Sequence, residues 1–150
     1  MGRPMALNLL KAGHQVTVYN RTESRTQEAV DAGAKKALTP KACAEENEIV
    51  ITNVTDSKDV ENVLFGENGA SEGAASGTIF IDMSTISPDV TRDIAARLEE
   101  AGHEFLDAPV SGGDIGAIKG TLTIMVGGKQ EVFDRATSVF EAMGSRITLV

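Results

Sequence analysis

The strongest constraint on this chain is an alternation. Short β-rich apolar runs recur at residues 16–19, 48–52, 78–82, 104–106, 122–126 and 146–150, and stretches of helical periodicity lie between most of them. Strands separated by helices are joined by crossovers, which make parallel sheets covered by helices on both faces. Ile49-Val50-Ile51 and Ile79-Phe80-Ile81 are continuous apolar runs, as expected of strands buried on both sides. The helices announce their ends. Val90, Ile94, Leu98 and Ala101 share a face, with Ser87 as N-cap, Pro88 as first helical residue and Gly102 just past the end. Val132, Phe133, Ala136, Val139, Phe140 and Met143 form a second face, stopped by Gly144, and Met5, Leu9 and Leu10 a shorter one, stopped by Gly13. Val60, Val63 and Leu64 follow a cap at Asp56 or Ser57, and Thr39-Pro40 opens a short helix ending near Glu46. Residues 22–32 read as a helix stopped by Gly33, residues 35–38 as a further strand, and the Gly/Ala/Ser-rich stretch 67–77 as a surface loop.

Composition narrows the partners. The 150 residues carry 14 Lys+Arg against 22 Asp+Glu, a formal charge of −8, which argues against a nucleic-acid partner. No apolar run approaches the roughly 20 residues needed to span a bilayer, so no membrane partner is expected. Cys43 is the only cysteine, which leaves no intrachain disulfide and no cysteine-cluster metal site, and no metal is expected. The start, Met1-Gly2-Arg3-Pro4, has no signal-peptide pattern. These features together read as one soluble, cytoplasmic domain.

The chain opens on a helix, whereas a doubly wound sheet starts with a strand and a Gly-rich turn. Met1-Gly2 sits where that turn would end, so the expected fold is an α/β doubly wound, mostly parallel sheet lacking its first strand. Such a gap leaves unpaired backbone groups on both neighbouring strands.

Ligands of open α/β sheets sit beyond the carboxyl ends of the strands, so the residues following each strand are the candidates. Gly2 allows close approach at a helix start, or marks only a generic one. At Asn20-Arg21-Thr22 a dinucleotide fold reads the adenosine ribose; position 20 holds no acid, while Arg21 and Thr22 offer a bidentate cation and a hydroxyl that suit a 2′-phosphate. The alternative is a solvated Arg21 beside a capping Thr22. Ser84 and Thr85 place hydroxyls after another strand, or serve as caps. In Asp107-Ala108-Pro109-Val110-Ser111-Gly112-Gly113, two glycine N–H groups and the Ser111 hydroxyl can hold a carboxylate, or form a plain turn. Asp107 would repel an acid and reads as structural. His14 and His103 each follow a helix-stopping glycine and read as turn residues, and Cys43 as a small apolar filler.

Taken in order, these stretches resemble the β-hydroxyacid dehydrogenase family, with a Rossmann-type fold. Met1 to Leu9 with Ala12-Gly13-His14 is similar to the end of the family's Gly-x-Gly-x-x-Gly turn and its first helix, and Asn20-Arg21-Thr22 to the cofactor-selecting turn of its NADP-type members. Phe65-Gly66-Glu67-Asn68-Gly69, Ile81 to Pro88, Asp107 to Gly113 and Gly120 to Gly128 carry the resemblance along the chain. It implies NADP as cofactor, with NAD as the alternative. It implies cofactor contacts at Gly2, Met5, Asn20, Arg21, Thr22, Val54, Thr55 and Thr85, and a substrate carboxylate on Ser111, Gly112 and Gly113. Val54-Thr55 stands where the family often has Leu-Pro. The family's catalytic lysine matches no lysine here and is expected beyond Val150, on a helix leading to an all-helical second domain that also builds a homo-oligomer. The implied reaction is NADPH-dependent reduction of a small 3-oxo acid, tartronate semialdehyde to glycerate. Oxidation of 3-hydroxyisobutyrate or of another β-hydroxy acid is the alternative, and a non-catalytic nucleotide-binding module is the alternative from another class. 6-Phosphogluconate dehydrogenase shares Asn20-Arg21-Thr22 and Ser111-Gly112-Gly113 but does not match residues 121–126, and ranks behind.

Overall fold

A computed structural model describes all residues from Met1 to Val150. Strands and helices alternate from the start: α1 (Gly2–Lys11), β1 (Thr17–Val18), α2 (Gln27–Asp31), β2 (Lys35–Lys36), α3 (Pro40–Ala44) and β3 (Ile49–Thr52). Then come α4 (Ser57–Phe65), α5 (Ala70–Gly73), β4 (Ile79–Asp82), α6 (Pro88–Glu100) and β5 (Glu104–Asp107). The chain closes with β6 (Val110–Ser111), α7 (Gly113–Lys119), β7 (Leu122–Val126), α8 (Gln130–Met143) and β8 (Gly144–Leu149). β1 and β2 pair in parallel, as do β3, β4 and β5 in that order. β7 pairs in parallel with β8 and antiparallel with β6. Reciprocal backbone hydrogen bonds between Asp107 and Gly127, at 3.0 and 2.7 Å, join β5 to the last sheet. The architecture is the mostly parallel α/β sheet expected.

Side chains alternate across the sheet and divide the core in two. Ile79, Ile81 and Leu106 face Met5 and Leu9 of α1 and Val132, Ala136, Phe140 and Met143 of α8. Phe80 faces the other way, against Val60, Leu64, Ile94 and Leu98 of α4 and α6. Each fully buried side chain of this size contributes about 1.5–3 kcal/mol relative to exposure. Asp82 and its register partners Thr52 and Asp107 lie two residues beyond Val50, Phe80 and Phe105, on that second face at the strands' carboxyl ends.

Several expectations are corrected. Ile49, Val50 and Ile51 are half-buried, because β3 pairs only with β4; β4, paired on both edges, is buried throughout. Residues 22–32 split into a 3-10 turn (Glu23–Thr26) and α2: the Thr26 hydroxyl donates to the Glu23 carbonyl at 2.7 Å and competes with regular helical bonding. The stretch 67–77 contains α5, packed so closely on α3 that a Cβ at Gly73 would meet the Lys41 carbonyl. β8 begins at Gly144 itself rather than two residues later, since there a Cβ would come within 2.6 Å of the Leu122 carbonyl oxygen. His103 directly follows the turn that ends α6, and it is buried there: it is 5% exposed, with its ring centroid 5.2 Å from that of Phe80. Asp56 is the cap of α4, accepting from Asp59 N–H at 3.0 Å. Ser87 occupies the cap position of α6 without a side-chain capping bond, and Pro88 follows it as expected.

Candidate functional site

The loops that follow β3, β4 and β5 leave one edge of a parallel sheet side by side. Nearby elements close around them. A Cβ at Gly2 would lie 3.8 Å from Asn53 Oδ1, which puts the start of α1 beside the loop after β3. The Arg21 guanidinium is 3.9 Å from Asp59 of α4, which brings the turn after β1 to the same neighbourhood. The amino group of Met1 is 4.0 Å from Asp114, and Asn8 Nδ2 donates to the Ala117 carbonyl at 2.7 Å, so α7 docks against α1. The structure thus brings Gly2, Asn20, Arg21, Thr22, Val54, Thr55, Thr85 and residues 111–113 along one rim.

Their surroundings differ. Asn20, Arg21, Thr22, Thr55, Thr85, Ser111, Gly112 and Gly113 are exposed, and Gly2 and Val54 half-buried. Met5 is 3% exposed and belongs to the core, so its side chain shapes the rim from below. Asn20 holds the turn: its Oδ1 accepts from Thr22 N–H at 2.9 Å. That leaves Arg21, 85% exposed and only loosely paired, as the cation available there. Asn20 and Arg21 line a concavity of about 110 Å³ with Tyr19, Glu23, Ala37 and Leu38, and Leu38 offers an exposed apolar wall that the motif reading missed. Glu23 is tied to Lys36, whose ammonium holds its carboxyl below the ordinary value. A larger concavity of about 190 Å³, lined by Glu99, His103, Glu104 and Lys129 among others, lies at the amino-terminal end of β5, away from these loops.

At the other end of the rim, Gly112 and Gly113 have φ of +132° and +61°, a backbone region that disfavours side chains. Nothing lies within 4 Å of a Cβ built at Gly113, so its backbone is open to a ligand. α7 follows at once but is only seven residues long.

Beneath the exposed residues lies a buried polar network. Thr52 Oγ1 donates to Asp82 Oδ1 at 2.8 Å, and Ser84 N–H donates to the same oxygen at 3.1 Å. Ser84 Oγ in turn accepts from Val54 N–H at 2.9 Å. Nearer the surface, Asn53 Nδ2 donates to the Met83 carbonyl at 3.3 Å, and the exposed Ser87 N–H to Ser57 Oγ at 3.2 Å. Burial pushes the Asp82 carboxyl above its ordinary value against the pull of these hydrogen bonds; burial and then the Asp82 charge push Asp107 up. The sequence shows acids ending Ile79-Phe80-Ile81-Asp82 and Phe105-Leu106-Asp107 but carries no sign that Asp82 is buried. Cys43 is a filler as expected: its thiol donates to the Thr17 carbonyl at 3.4 Å, and burial pushes its pKa to about 11.

Residues 1–150 match the family described as the NAD binding domain of 6-phosphogluconate dehydrogenase. The chain belongs to that family. It is 46% identical over 150 residues to 2-hydroxy-3-oxopropionate reductase of Escherichia coli K12, covering 100% of this chain and 51% of that protein. Its fold is similar to that of 3-hydroxyisobutyrate dehydrogenase of Mycobacterium tuberculosis solved with L-serine, with a TM-score of 0.94 and 35% identity over 99% of this chain and 50% of the other. Psf3, solved with NADP+ and 2-OPP, superposes with a TM-score of 0.94 at 26% identity, over 100% of this chain and 53% of its own. The chain spans about half the length of the curated relatives it matches. The Rossmann-type fold and the resemblance to β-hydroxyacid dehydrogenases are therefore borne out, and the chain is an NAD(P)-binding domain.

Proposed function

We propose that this chain is the cofactor-binding domain of a larger cytoplasmic β-hydroxyacid dehydrogenase that reduces tartronate semialdehyde to glycerate with NADPH. The observation that carries the reading is the shared rim, where exposed Arg21, the loops at 53–55 and 84–85, and Gly112 with the open backbone of Gly113 lie along one edge. The residues fit the cofactor. The concavity at Tyr19, Asn20, Arg21 and Leu38 offers an apolar wall and an exposed, loosely paired guanidinium for an adenosine bearing a 2′-phosphate. Gly2 and residues 53–55 would lie along the pyrophosphate, and Thr85 near the nicotinamide. When bound, NADPH supplies the hydride.

The chain's own contribution is positioning. Ser111, Gly112 and Gly113 hold the substrate carboxylate, so that the aldehyde carbon faces the hydride donor across the rim. Reduction of the aldehyde would leave negative charge on its oxygen, which needs a proton. By resemblance that proton comes from a lysine beyond Val150, carried by a second, helical domain that also makes the homo-oligomer.

In the full-length enzyme, NADPH oxidation should be faster with tartronate semialdehyde than with methylmalonate semialdehyde or succinate semialdehyde. Faster turnover of methylmalonate semialdehyde would favour the 3-hydroxyisobutyrate reading, which the similarity to the M. tuberculosis enzyme supports. Stronger turnover with NADH than with NADPH would overturn the role given to Arg21.

A further inference from the structure

Asp82 is completely buried, and its two oxygens have different surroundings. Oδ1 accepts from the Thr52 hydroxyl of the neighbouring strand and from Ser84 N–H. Oδ2 has no partner. A buried carboxyl with one oxygen unmatched is costly, and a strand end could hold an apolar residue at lower cost. What the carboxyl provides is a link between two loops. Through Thr52 it fixes the end of β3, and through Ser84 it fixes the turn after β4. Ser84 then uses its own hydroxyl to accept from Val54 N–H, closing the circuit onto the loop after β3. Thr52 and Ser84 are themselves 8% and 3% exposed, so this circuit does not touch a ligand directly.

We propose that Asp82 is a positioning residue for the dinucleotide: its Oδ1 sets the spacing between the loops at 53–55 and 84–87, on which the inner half of the cofactor rests. This rests on the function proposed above. The adenosine end, at Asn20-Arg21-Thr22, is built on β1 and has no hydrogen bond to the circuit. Loss of Asp82 Oδ1 therefore weakens the hold on the pyrophosphate and nicotinamide and spares the hold on the 2′-phosphate.

The test compares Asp82→Ala with Asp82→Asn in the full-length enzyme, titrating NADPH and, separately, 2′,5′-ADP, which carries only the adenosine end. Asp82→Ala should weaken NADPH by about tenfold, the scale of a lost preorganising contact, and leave 2′,5′-ADP unchanged. Asp82→Asn keeps an accepting oxygen and should recover most of the NADPH affinity. Amide hydrogen exchange supplies a readout that needs no ligand: in Asp82→Ala it should quicken at Ser84 and Val54 and stay unchanged at Ile124 and Val126 of β7. Equal losses for NADPH and 2′,5′-ADP would mean general destabilisation and would overturn the proposal. So would unchanged exchange at Ser84 and Val54. If the unsubstituted full-length enzyme binds neither probe, the cofactor reading falls and the positioning role falls with it. If it binds both while Asp82→Ala binds NADPH normally, only the positioning role falls.

Discussion

The middle of the rim and its two flanks are built on opposite principles. In the middle, Thr52, Asp82 and Ser84 are buried polar residues whose hydrogen bonds go to one another and to Val54. On the flanks, Arg21 is 85% exposed and Gly113 has nothing near its Cβ position. The middle fixes geometry and the flanks present it. Polar groups that satisfy each other inside the protein cannot also recognise a ligand, and groups left in water contribute little to stability until one arrives.

Substitutions can break that contrast, and the largest effects belong to the middle. Ile81→Ala removes a buried side chain from the strand paired on both edges, and chemical denaturation should show a loss of about 2–5 kcal/mol. Ile49→Ala, on half-buried β3, should cost visibly less. If the two losses are equal, the distinction between the inner and outer strands is wrong. Arg21→Ala should leave the unfolding curve unchanged but weaken NADPH about ten- to hundredfold, the range set by a charge-assisted hydrogen bond. NADH affinity should not move, and a parallel loss of both would remove the 2′-phosphate from the account. Gly112→Ala forces a side chain onto a backbone at φ +132° and should destabilise by about 1 kcal/mol or more.

The smallest effects are electrostatic. Asp82 and Asp107 hold their protons more tightly folded than unfolded. Their cost to stability is present at neutral pH, shrinks as pH falls through their raised values, and vanishes below the ordinary value near 3.8. Asp107→Asn should therefore raise Tm at pH 7, and the gain should fade in acid. A gain that stays constant with pH would assign it to packing. Glu23, held low by Lys36, works in the opposite sense, losing its contribution as pH falls, and at the surface it is screened by salt.

The same contrast explains what could be read in the sequence. The flanks were legible because their residues break local expectation: a cation and hydroxyl after a strand, and paired glycines after a proline-ended one. Long amphipathic faces were legible too, as at Val90, Ile94 and Leu98, because periodicity reports burial directly. Asp82 was not, because a buried acid and an exposed one are the same letter, and only the register of β3, β4 and β5 puts Thr52 beside it. α5 was hidden by its composition, since Ala70-Ser71-Glu72-Gly73 forms a helical turn only where small residues let it lie on α3. The burial of His103 was hidden for a related reason: a glycine before it marks a helix end but says nothing about what then packs on Phe80.

A titration of the isotopically labelled chain with NADPH, followed by amide NMR, is the most direct test of a single dinucleotide rim. Residues 2, 20–22, 54–55 and 84–85 should shift together along one binding curve, with NADH following a weaker one. Shifts confined to the opposite end of β5, around Glu99, His103 and Lys129, or separate curves for 20–22 and 84–85, would contradict it.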